Sequence, residues 1–484
     1  MEKFSSILKL VDDVVWGLPT IILILATGIL LTVRMRGMQF TKLGRALKSI
    51  FRKSDSGHGE VSSFGALCTA LSATIGTGNI VGVATAIAAG GPGALFWMWV
   101  AALVGIATKY AECMLAVLYR EKKEDGHILG GPFYTIEKGM KELTGFSWKW
   151  LAVLFAVFGI MAGLLGIGTI TQVHGITSAV KNAFDPTEAK IAFEIGSNSY
   201  SWSVVIAGLL VTLFAALVII GGLKRISKVA SVVVPFMAII YVFLGLSIII
   251  MNATYIPQAF KVIFKSAIGL KAVAGGAVGW TIREAMQKGV ARGIFSNEAG
   301  LGSAPIAAST ADVKEPVAQG LVSMTGTFID TIIICTMTGL AIVIAFFTGN
   351  ATGIPEGLEG VAITSAAFNN VLGGDGKSVQ FLLMICLVFF AFTTILGWDY
   401  YSERCIEYLT NGKMGIVKFY RIIYICAVFI GPYLTVSQVW DIADIANGLM
   451  AIPNCISLIV LSGVVSKATK AYFQKYPTLQ SENQ

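Results

Sequence analysis

Charged residues are scarce in this chain. Only 13% of its 484 residues are Asp, Glu, Lys or Arg, whereas soluble domains usually carry about 25%. Hydrophobic residues make up 55% of the sequence. This composition excludes an ordinary soluble globular fold and indicates an integral membrane protein in contact with membrane lipid.

Sequence motifs of metal-dependent and nucleotide-driven proteins are missing as well. The three histidines, His58, His127 and His174, lie far apart, and the sequence contains no HExxH, CxxC or P-loop pattern. We therefore expect a protein that is not an enzyme and that draws on an ion gradient instead of ATP. The formal charge of +8 arises from short basic clusters between apolar runs. Such clusters follow the positive-inside rule and do not indicate nucleic acid as a partner.

Apolar runs long enough to cross about 30 Å of hydrocarbon recur along the chain. They predict eleven transmembrane helices, near residues 14–33, 62–88, 93–118, 150–181, 202–222, 228–252, 272–292, 317–347, 379–402, 417–434 and 439–465. The loops rich in Lys and Arg fall on one side, which the positive-inside rule makes cytoplasmic. We expect a multi-pass protein of the cell membrane with its N-terminus outside and its C-terminus in the cytoplasm.

One apolar run is interrupted where a membrane helix should be most regular. The segment from Ser63 to Trp99 contains Gly76-Thr77-Gly78-Asn79 near its middle. Glycine disfavours helix by about 1 kcal/mol relative to alanine, so local unwinding is expected there. Unwound backbone in lipid exposes N–H and C=O groups that protein, water or a ligand has to satisfy. The interruption therefore predicts a site for a small solute and an ion at the middle of the membrane.

A second glycine-rich interruption opens the seventh predicted span, at Gly275-Gly276-Ala277-Val278-Gly279-Trp280. Counted from the first broken span, it begins a second set of five helices that enter from the opposite side. Two sets of five helices in opposite orientations predict an inverted-topology repeat, with the site between the first helices of the two sets. The predicted units are an extra N-terminal helix with a basic loop, two five-helix repeats and a cytoplasmic tail: residues 1–60, 61–252, 253–466 and 467–484.

Four longer motifs carry a resemblance to a known family. They read SATIGTGNIVGV (72–83), GGPGALFWMW (90–99), KYAE (109–112) and ARGIFSNEAGLGSAPIAA (291–308). The chain resembles the alanine or glycine:cation symporter family over nearly its whole length. The resemblance implies an all-α polytopic membrane protein of the leucine-transporter fold, with a five-plus-five inverted repeat and one extra N-terminal helix. It also implies uptake of small neutral amino acids coupled to Na⁺, with no organic cofactor.

The resemblance further implies where sodium binds. Sodium is a hard cation that takes oxygen ligands. The expected site lies between the first break and FFAFTTILGW (389–398) in the ninth predicted span, and its ligands are carbonyl or hydroxyl oxygens of Ser72, Ile75, Phe390, Thr393 and Thr394. An isolated membrane threonine more commonly bonds the carbonyl four residues back.

The amino acid is expected between the two breaks and the fourth predicted span. Helix-start N–H groups would bind its carboxylate, at Thr77, Gly78 and Asn79. Carbonyls would face its ammonium group, around Gly275, Gly276 and Gly279. Side chains would close the pocket over a methyl group, from Ile167, Ile170, Gln172 and Trp280.

Three of these side chains have a second possible role. Asn79 could ligate another cation, or it could cap the helix that restarts after the break. Gln172 could serve as a hydrogen-bond partner between helices, and Trp280 as a packing or interface residue. The residue types alone leave these alternatives open.

Ionisable residues at membrane depth are costly and usually functional. Lys109 and Glu112 lie on one helix face and are expected to pair, either to pin helices together or to take part in gating. Asp330 could ligate a cation, carry a proton, cap a neighbouring broken helix or fill a buried structural role. Charged residues around the seventh span are expected to form a cytoplasmic gate: Arg283, Glu284, Lys288, Arg292 and Glu298.

The sequence thus predicts a secondary transporter that imports alanine or glycine with Na⁺ by alternating access. The nearest alternative is a proton-coupled amino-acid carrier with Asp330 as the relay. A passive channel or amino-acid sensor would carry a continuous polar stripe, whereas these spans consist mostly of Ala, Val, Ile and Gly.

Overall fold

The computed structural model describes residues 2–52, 59–123, 126–185, 190–195, 198–268, 281–351, 353–373, 377–434 and 436–478. These parts are mainly helical, as predicted, with two short antiparallel hairpins in the loops. The second predicted glycine interruption, Gly275 to Trp280, lies outside the described residues.

The first half of the chain contains the long helices that lead to and from the first break. Its helices are α1 (Glu2–Val15), α2 (Leu18–Arg34), α3 (Met38–Thr41), α4 (Leu43–Ser49), α5 (Ser63–Thr74), α6 (Val83–Gly90), α7 (Gly93–Leu118), α8 (Pro132–Tyr134), α9 (Lys141–Thr144), α10 (Lys149–Leu165), α11 (Ile170–Phe184), α12 (Trp202–Ile219) and α13 (Gly222–Met251). Wider π-helical turns lie at Gly78–Gly82 and Thr135–Met140. The hairpins are β1 (Glu121–Lys122) with β2 (Ile128–Leu129), and β3 (Ile191–Ile195) with β4 (Asn198–Ser201).

The second half begins with a short helix and ends with a very long one. Its helices are α14 (Ile256–Ala267), α15 (Ile282–Asn297), α16 (Ala304–Ala308), α17 (Pro316–Thr327), α18 (Thr336–Phe347), α19 (Val361–Leu372), α20 (Lys377–Leu409), α21 (Met414–Ile430) and α22 (Val436–Lys475). A π-helical turn at Phe328–Cys335 joins α17 to α18. Single 3₁₀ turns lie at Ala253–Tyr255 and Gly431–Tyr433.

Nine helical stretches in the described parts are long and apolar enough to cross a bilayer, or ten if the bent pair α5 and α6 counts as one span. These ten coincide with predicted spans. The remaining predicted span, 272–292, falls partly outside the described residues, and α15 within it has 16 residues. The total of eleven spans and the inverted repeat therefore stay predictions.

The fourth predicted span contains a break that the sequence analysis did not anticipate. Helix α10 ends at Leu165, and α11 begins at Ile170. Gly166 adopts φ −121° and ψ −126°, which no helix contains. Thr169 Oγ1 donates to the carbonyl of Leu164 over 2.6 Å, so the released backbone is satisfied locally.

The basic loops meet at one end of the molecule. Arg45 donates to the Tyr476 carbonyl over 2.8 Å, and Arg120 donates to the carbonyl of Ser309 over 2.8 Å. His127 lies 3.2 Å from a carboxylate oxygen of Glu60. The segment before α5, the loop after α7, the end of α16 and the end of α22 therefore share one end, as the positions of the basic clusters predicted.

Helices α5 and α20 approach each other at backbone distance. A methyl group added at Gly397 would lie 2.9 Å from the backbone nitrogen and Cα of Ala73. Because backbone atoms cannot rotate away as a side chain can, this contact requires glycine. It holds α20 directly against the half-helix that precedes the first break.

We expect Gly397→Ala to destabilise the protein by about 1–3 kcal/mol, since overpacking a buried contact has this cost. Gly326→Ala is the matched control, because its methyl group would meet only Leu71 Cδ2, at 3.5 Å, and Leu67 Cδ1, at 3.8 Å. Alanine there gains up to about 1 kcal/mol of helix propensity. Thermal unfolding of both variants in detergent checks this, and equal melting temperatures would contradict the close-contact argument.

Candidate ion and substrate site

The first predicted break is confirmed. Helix α5 ends at Thr74, Ile75 has an extended backbone (φ −77°, ψ 92°), and the chain resumes through the π turn Gly78–Gly82. The two half-helices are bent by 50°. Thr77 and Asn79 are both 0% exposed, so the unwound backbone lies deep inside the protein.

Side chains satisfy the N–H groups that the break releases. Gly76 N–H donates to Asn79 Oδ1 over 3.0 Å, so Asn79 satisfies an N–H group that precedes it and does not act as the predicted N-cap of the restarting helix. Thr77 N–H donates to Gln172 Oε1 over 3.1 Å, and Gln172 Nε2 donates to the Ile167 carbonyl over 2.9 Å. Gln172 thus ties the first break to the break between α10 and α11.

This arrangement changes the expected role of Thr77. Its N–H group, which was predicted to bind the substrate carboxylate, is taken by Gln172 in this structure. Its hydroxyl is buried and has no hydrogen-bond partner within the described parts of the chain. The hydroxyl, and not the N–H group, is therefore the atom of Thr77 that is available to a ligand.

Threonines from distant helices satisfy carbonyls of the π turn. Thr338 Oγ1 donates to the Asn79 carbonyl over 2.7 Å, and Thr364 Oγ1 donates to the Ile80 carbonyl over 2.9 Å. Neither Thr338 nor Thr364 was predicted as a site residue. The sequence does not distinguish these threonines from others in the membrane helices, because the carbonyls that they bond are more than 250 residues away.

Oxygen atoms of α5 and α20 converge beside the break. Thr394 Oγ1 lies 3.0 Å from the Ser72 carbonyl oxygen, 3.4 Å from that of Ile75 and 3.1 Å from that of Phe390. A hydroxyl carries one hydrogen, so it cannot donate to three carbonyls at once. The Ser72 carbonyl also loses its usual helical donor, because Gly76 N–H bonds Asn79 Oδ1.

This cluster has the composition that a hard cation requires, carbonyl and hydroxyl oxygens. A methyl group at Gly76 would lie 2.5 Å from Thr394 Oγ1 and 3.0 Å from Gln172 Oε1, so only glycine leaves room at this point. The adjacent Thr393 hydroxyl instead bonds its own helix, at 3.1 Å from the Phe389 carbonyl and 3.0 Å from that of Phe390. Of the predicted ligands, four lie together and Thr393 lies at their edge.

A second polar cluster forms around Asp330 in the π turn Phe328–Cys335. Its Oδ1 accepts from Asn79 Nδ2 over 2.6 Å. Its Oδ2 accepts from Ser296 Oγ over 2.9 Å and from Thr331 Oγ1 over 2.8 Å. Asp330 is 0% exposed. The carboxylate is thus held by uncharged donors, and one of them belongs to the first break.

A further break that the structure describes lies after α15. Glu298, Gly300 and Gly302 have φ values of 57°, 93° and 82°, and a short helix, α16, follows. A methyl group at Gly78 would lie 3.0 Å from the Ser296 Cα, so the end of α15 packs directly on the first break. This break was not predicted, although its glycines stand in the GLGS segment of the motif at 291–308. The interruption predicted at Gly275 to Trp280 lies outside the described residues, so the structure does not test it.

Buried ionisable residues surround the break after α15. Glu298 Oε1 accepts from Trp398 Nε1 over 2.8 Å, and its Oε2 accepts from Ser303 Oγ over 2.6 Å. Lys109 Nζ lies 3.7 Å from Glu112 Oε1, so the predicted pair exists as an ion contact. It is longer than a hydrogen bond.

The prediction of a cytoplasmic gate around α15 is wrong, because the charges at the start of α15 do not lie at the end of the molecule that carries the basic loops. Arg292 bonds Asp444 over 2.8 Å, and a methyl group at Gly90 would touch the Glu284 carbonyl. Gly90 ends α6 at the end opposite the basic loops. The charges at the start of α15 therefore lie at that opposite end. Glu298 lies at the other end of α15, where it is buried beside Trp398 and does not join them.

The architecture defines a class of protein, a helical membrane transporter with broken helices around a central site. The structure resembles that of MhsT, solved in complex with L-phenylalanine, with a TM-score of 0.58 and 13% sequence identity over 88% of this chain and 94% of MhsT. At this level of identity the likeness shows the fold, which is that of the leucine transporter.

The chain belongs to the sodium:alanine symporter family, whose model matches residues 1–484. It is 51% identical to an uncharacterized transporter of Haemophilus influenzae over 97% of this chain and 96% of that protein. It is 46% identical to the sodium/alanine symporter AgcS of Methanococcus maripaludis over 97% of each chain. Membership places the protein among the amino-acid:cation symporters, as the motifs predicted.

We expect Thr394→Ala to raise the Na⁺ concentration for half-maximal amino-acid uptake about tenfold, the equivalent of roughly 1.4 kcal/mol of binding free energy. The reason is the loss of the hydroxyl on which three carbonyls converge. Thr394→Ser retains the hydroxyl and is the control. Thr393→Ala should have a smaller effect, because that hydroxyl bonds its own helix. Uptake into proteoliposomes at graded Na⁺ measures this, and an unchanged Na⁺ dependence in Thr394→Ala would place the ion elsewhere.

Proposed function

We propose that this protein imports alanine and glycine together with Na⁺ across the cell membrane by alternating access. The observation that carries the proposal is the convergence of the Ser72, Ile75 and Phe390 carbonyls on Thr394 Oγ1 at the first break. A desolvated sodium ion needs such oxygens. The name of the relative AgcS, a sodium/alanine symporter, supports the same ion and substrate.

A second cation belongs beside Asp330 in this proposal. Its carboxylate is fully buried and accepts hydrogen bonds from Asn79, Ser296 and Thr331, which are all neutral. A buried carboxylate held by neutral groups keeps its charge uncompensated at a large cost in free energy. Sodium would supply the missing charge, and Asn79 would link this cation to the backbone of the break.

The substrate binds against the first break in this proposal, with Thr77 Oγ1 as one polar contact. Little space surrounds it, because a methyl group at Gly175 would lie 2.5 Å from Thr77 Cγ2. Ile167 and Ile170, 2% and 6% exposed, lie at the neighbouring break. These dimensions favour a very small side chain.

The alternative of a proton-coupled carrier makes a different prediction for the driving force. Purified protein in liposomes should accumulate labelled alanine when an inward Na⁺ gradient is imposed at equal pH on both sides. An inward proton gradient without Na⁺ should give no accumulation, because the carbonyls at Thr394 have no proton to exchange. Accumulation driven by the pH gradient alone would reject sodium coupling in favour of the Asp330 relay.

Competition against alanine uptake tests the size of the pocket. Glycine should compete about fourfold more weakly than alanine, since one buried methyl group contributes about 0.8 kcal/mol. Leucine should scarcely compete, because overfilling a packed site costs about 1–3 kcal/mol. Ile170→Ala should widen the range, whereas Ile176→Ala, at a buried position six residues further along α11, should not. Leucine that competed as well as alanine in the wild type would refute the small pocket.

A further inference from the structure

The ammonium group of Lys109 has an unusual environment. Lys109 is 2% exposed and lies within α7, far from either end of that helix. Its Nζ has no hydrogen-bond partner among the residues that the structure describes. Its nearest counter-charge is Glu112 Oε1 at 3.7 Å. A buried ammonium that only pinned two helices would be expected to donate hydrogen bonds to its partner.

Glu112 is not devoted to Lys109 either. Its Oε2 accepts from Asn454 Nδ2 over 2.9 Å, whereas its Oε1 has no hydrogen-bond partner within the described residues. The pair is therefore a loose ion contact. Asn454 of another helix holds the carboxylate, whereas no hydrogen bond among the described residues holds the ammonium group.

Lys109 is also one cation among several buried carboxylates. It interacts electrostatically with Glu112, Glu298 and Asp330. Neutral donors hold each of these three: Asn454 for Glu112, Trp398 and Ser303 for Glu298, and Asn79, Ser296 and Thr331 for Asp330. One lysine cannot neutralise three carboxylates, so its position determines which of them lacks a counter-charge.

Hydrogen bonds lead from the surroundings of Lys109 to Asp330. Lys109 and Asn297 both line a small, mainly apolar cavity of about 10 Å³, which is at the lower limit of the volume that can hold one water. Asn297 Nδ2 donates to Thr331 Oγ1 over 3.0 Å, and Thr331 Oγ1 donates to Asp330 Oδ2 over 2.8 Å. Asn297 thus lines the same cavity as Lys109 and is linked through Thr331 to the Asp330 carboxylate.

We propose that Lys109 is a tethered cation that takes the place of Na⁺ beside Asp330 in the empty carrier. When Na⁺ binds at Asp330, repulsion between the two positive charges returns the ammonium group to Glu112. This inference rests on the proposed sodium site at Asp330. It assigns Lys109 to one step of the cycle, the return of the carrier without cargo, when Asp330 would otherwise be a buried and uncompensated charge.

A comparison of net uptake with exchange distinguishes the return of the empty carrier from the other steps of the transport cycle. Net uptake requires the empty carrier to return, whereas exchange of labelled for unlabelled alanine, with equal Na⁺ on both sides, proceeds through loaded states. We expect Lys109→Gln to lower Na⁺-driven net uptake at least tenfold and to leave exchange within twofold of wild type. A merely structural loss would lower both rates alike and would overturn the proposal.

Sodium affinity gives a second readout, with opposite signs for two variants. Lys109→Gln removes the competing cation, so equilibrium binding of radioactive Na⁺ should tighten at least threefold. Glu112→Gln retains the lysine but removes its resting partner, so Na⁺ binding should weaken at least threefold. Glu112→Gln also keeps the test decisive if Lys109→Gln fails to fold. Unchanged or equally shifted Na⁺ affinities would overturn the proposal.

The two proposals fail in different ways. Wild-type protein without Na⁺-driven uptake or Na⁺ binding would reject the proposed function and, with it, the tethered cation. Wild-type protein with Na⁺-driven uptake, combined with parallel loss of exchange and net uptake in Lys109→Gln, would reject the tethered cation alone.

Discussion

Peptide groups that leave a helix inside a membrane must find hydrogen-bond partners within the protein, because lipid offers none. Around the first break, Asn79 and Gln172 accept from the released N–H groups. Thr338 and Thr364 donate to carbonyls of the following π turn. The carbonyls of Ser72 and Ile75 remain together, with one shared hydroxyl between them. The proposed ion site thus consists of the carbonyl oxygens that the hydrogen bonds around the break leave without a donor of their own.

The same constraint explains why the breaks lie side by side. Gln172 spans from Thr77 to the Ile167 carbonyl, so the breaks in the first and fourth predicted spans share one side chain. Asn79 spans from Gly76 to Asp330 and so connects the first break to the π turn between α17 and α18. Glycine at positions 76 and 78 permits these approaches, since a methyl group at either would collide with a neighbouring helix.

Sequence reasoning predicted the parts of this site that depend on local chemistry. The unwinding at Gly76 to Asn79 and the approach of Thr394 to it both follow from residue type and motif. The contributions of Thr338, Thr364 and Trp398 were missed, because their hydroxyl and indole groups form hydrogen bonds with residues far away in the sequence. The break after α15 was not predicted, because Gly300 and Gly302 lie in a motif that was interpreted only as a family resemblance.

The two π turns that hold Asn79 and Asp330 impose a requirement on chain length. Each turn, Gly78–Gly82 and Phe328–Cys335, holds more backbone than an α-helical turn of the same rise. Deleting one residue from either would convert the wide turn into an ordinary α-helical turn and shift the residues within it, which would carry Asn79 away from Asp330. The length of these turns is therefore constrained together with Gly78, Asn79 and Asp330, so their spacing should drift little over evolutionary time.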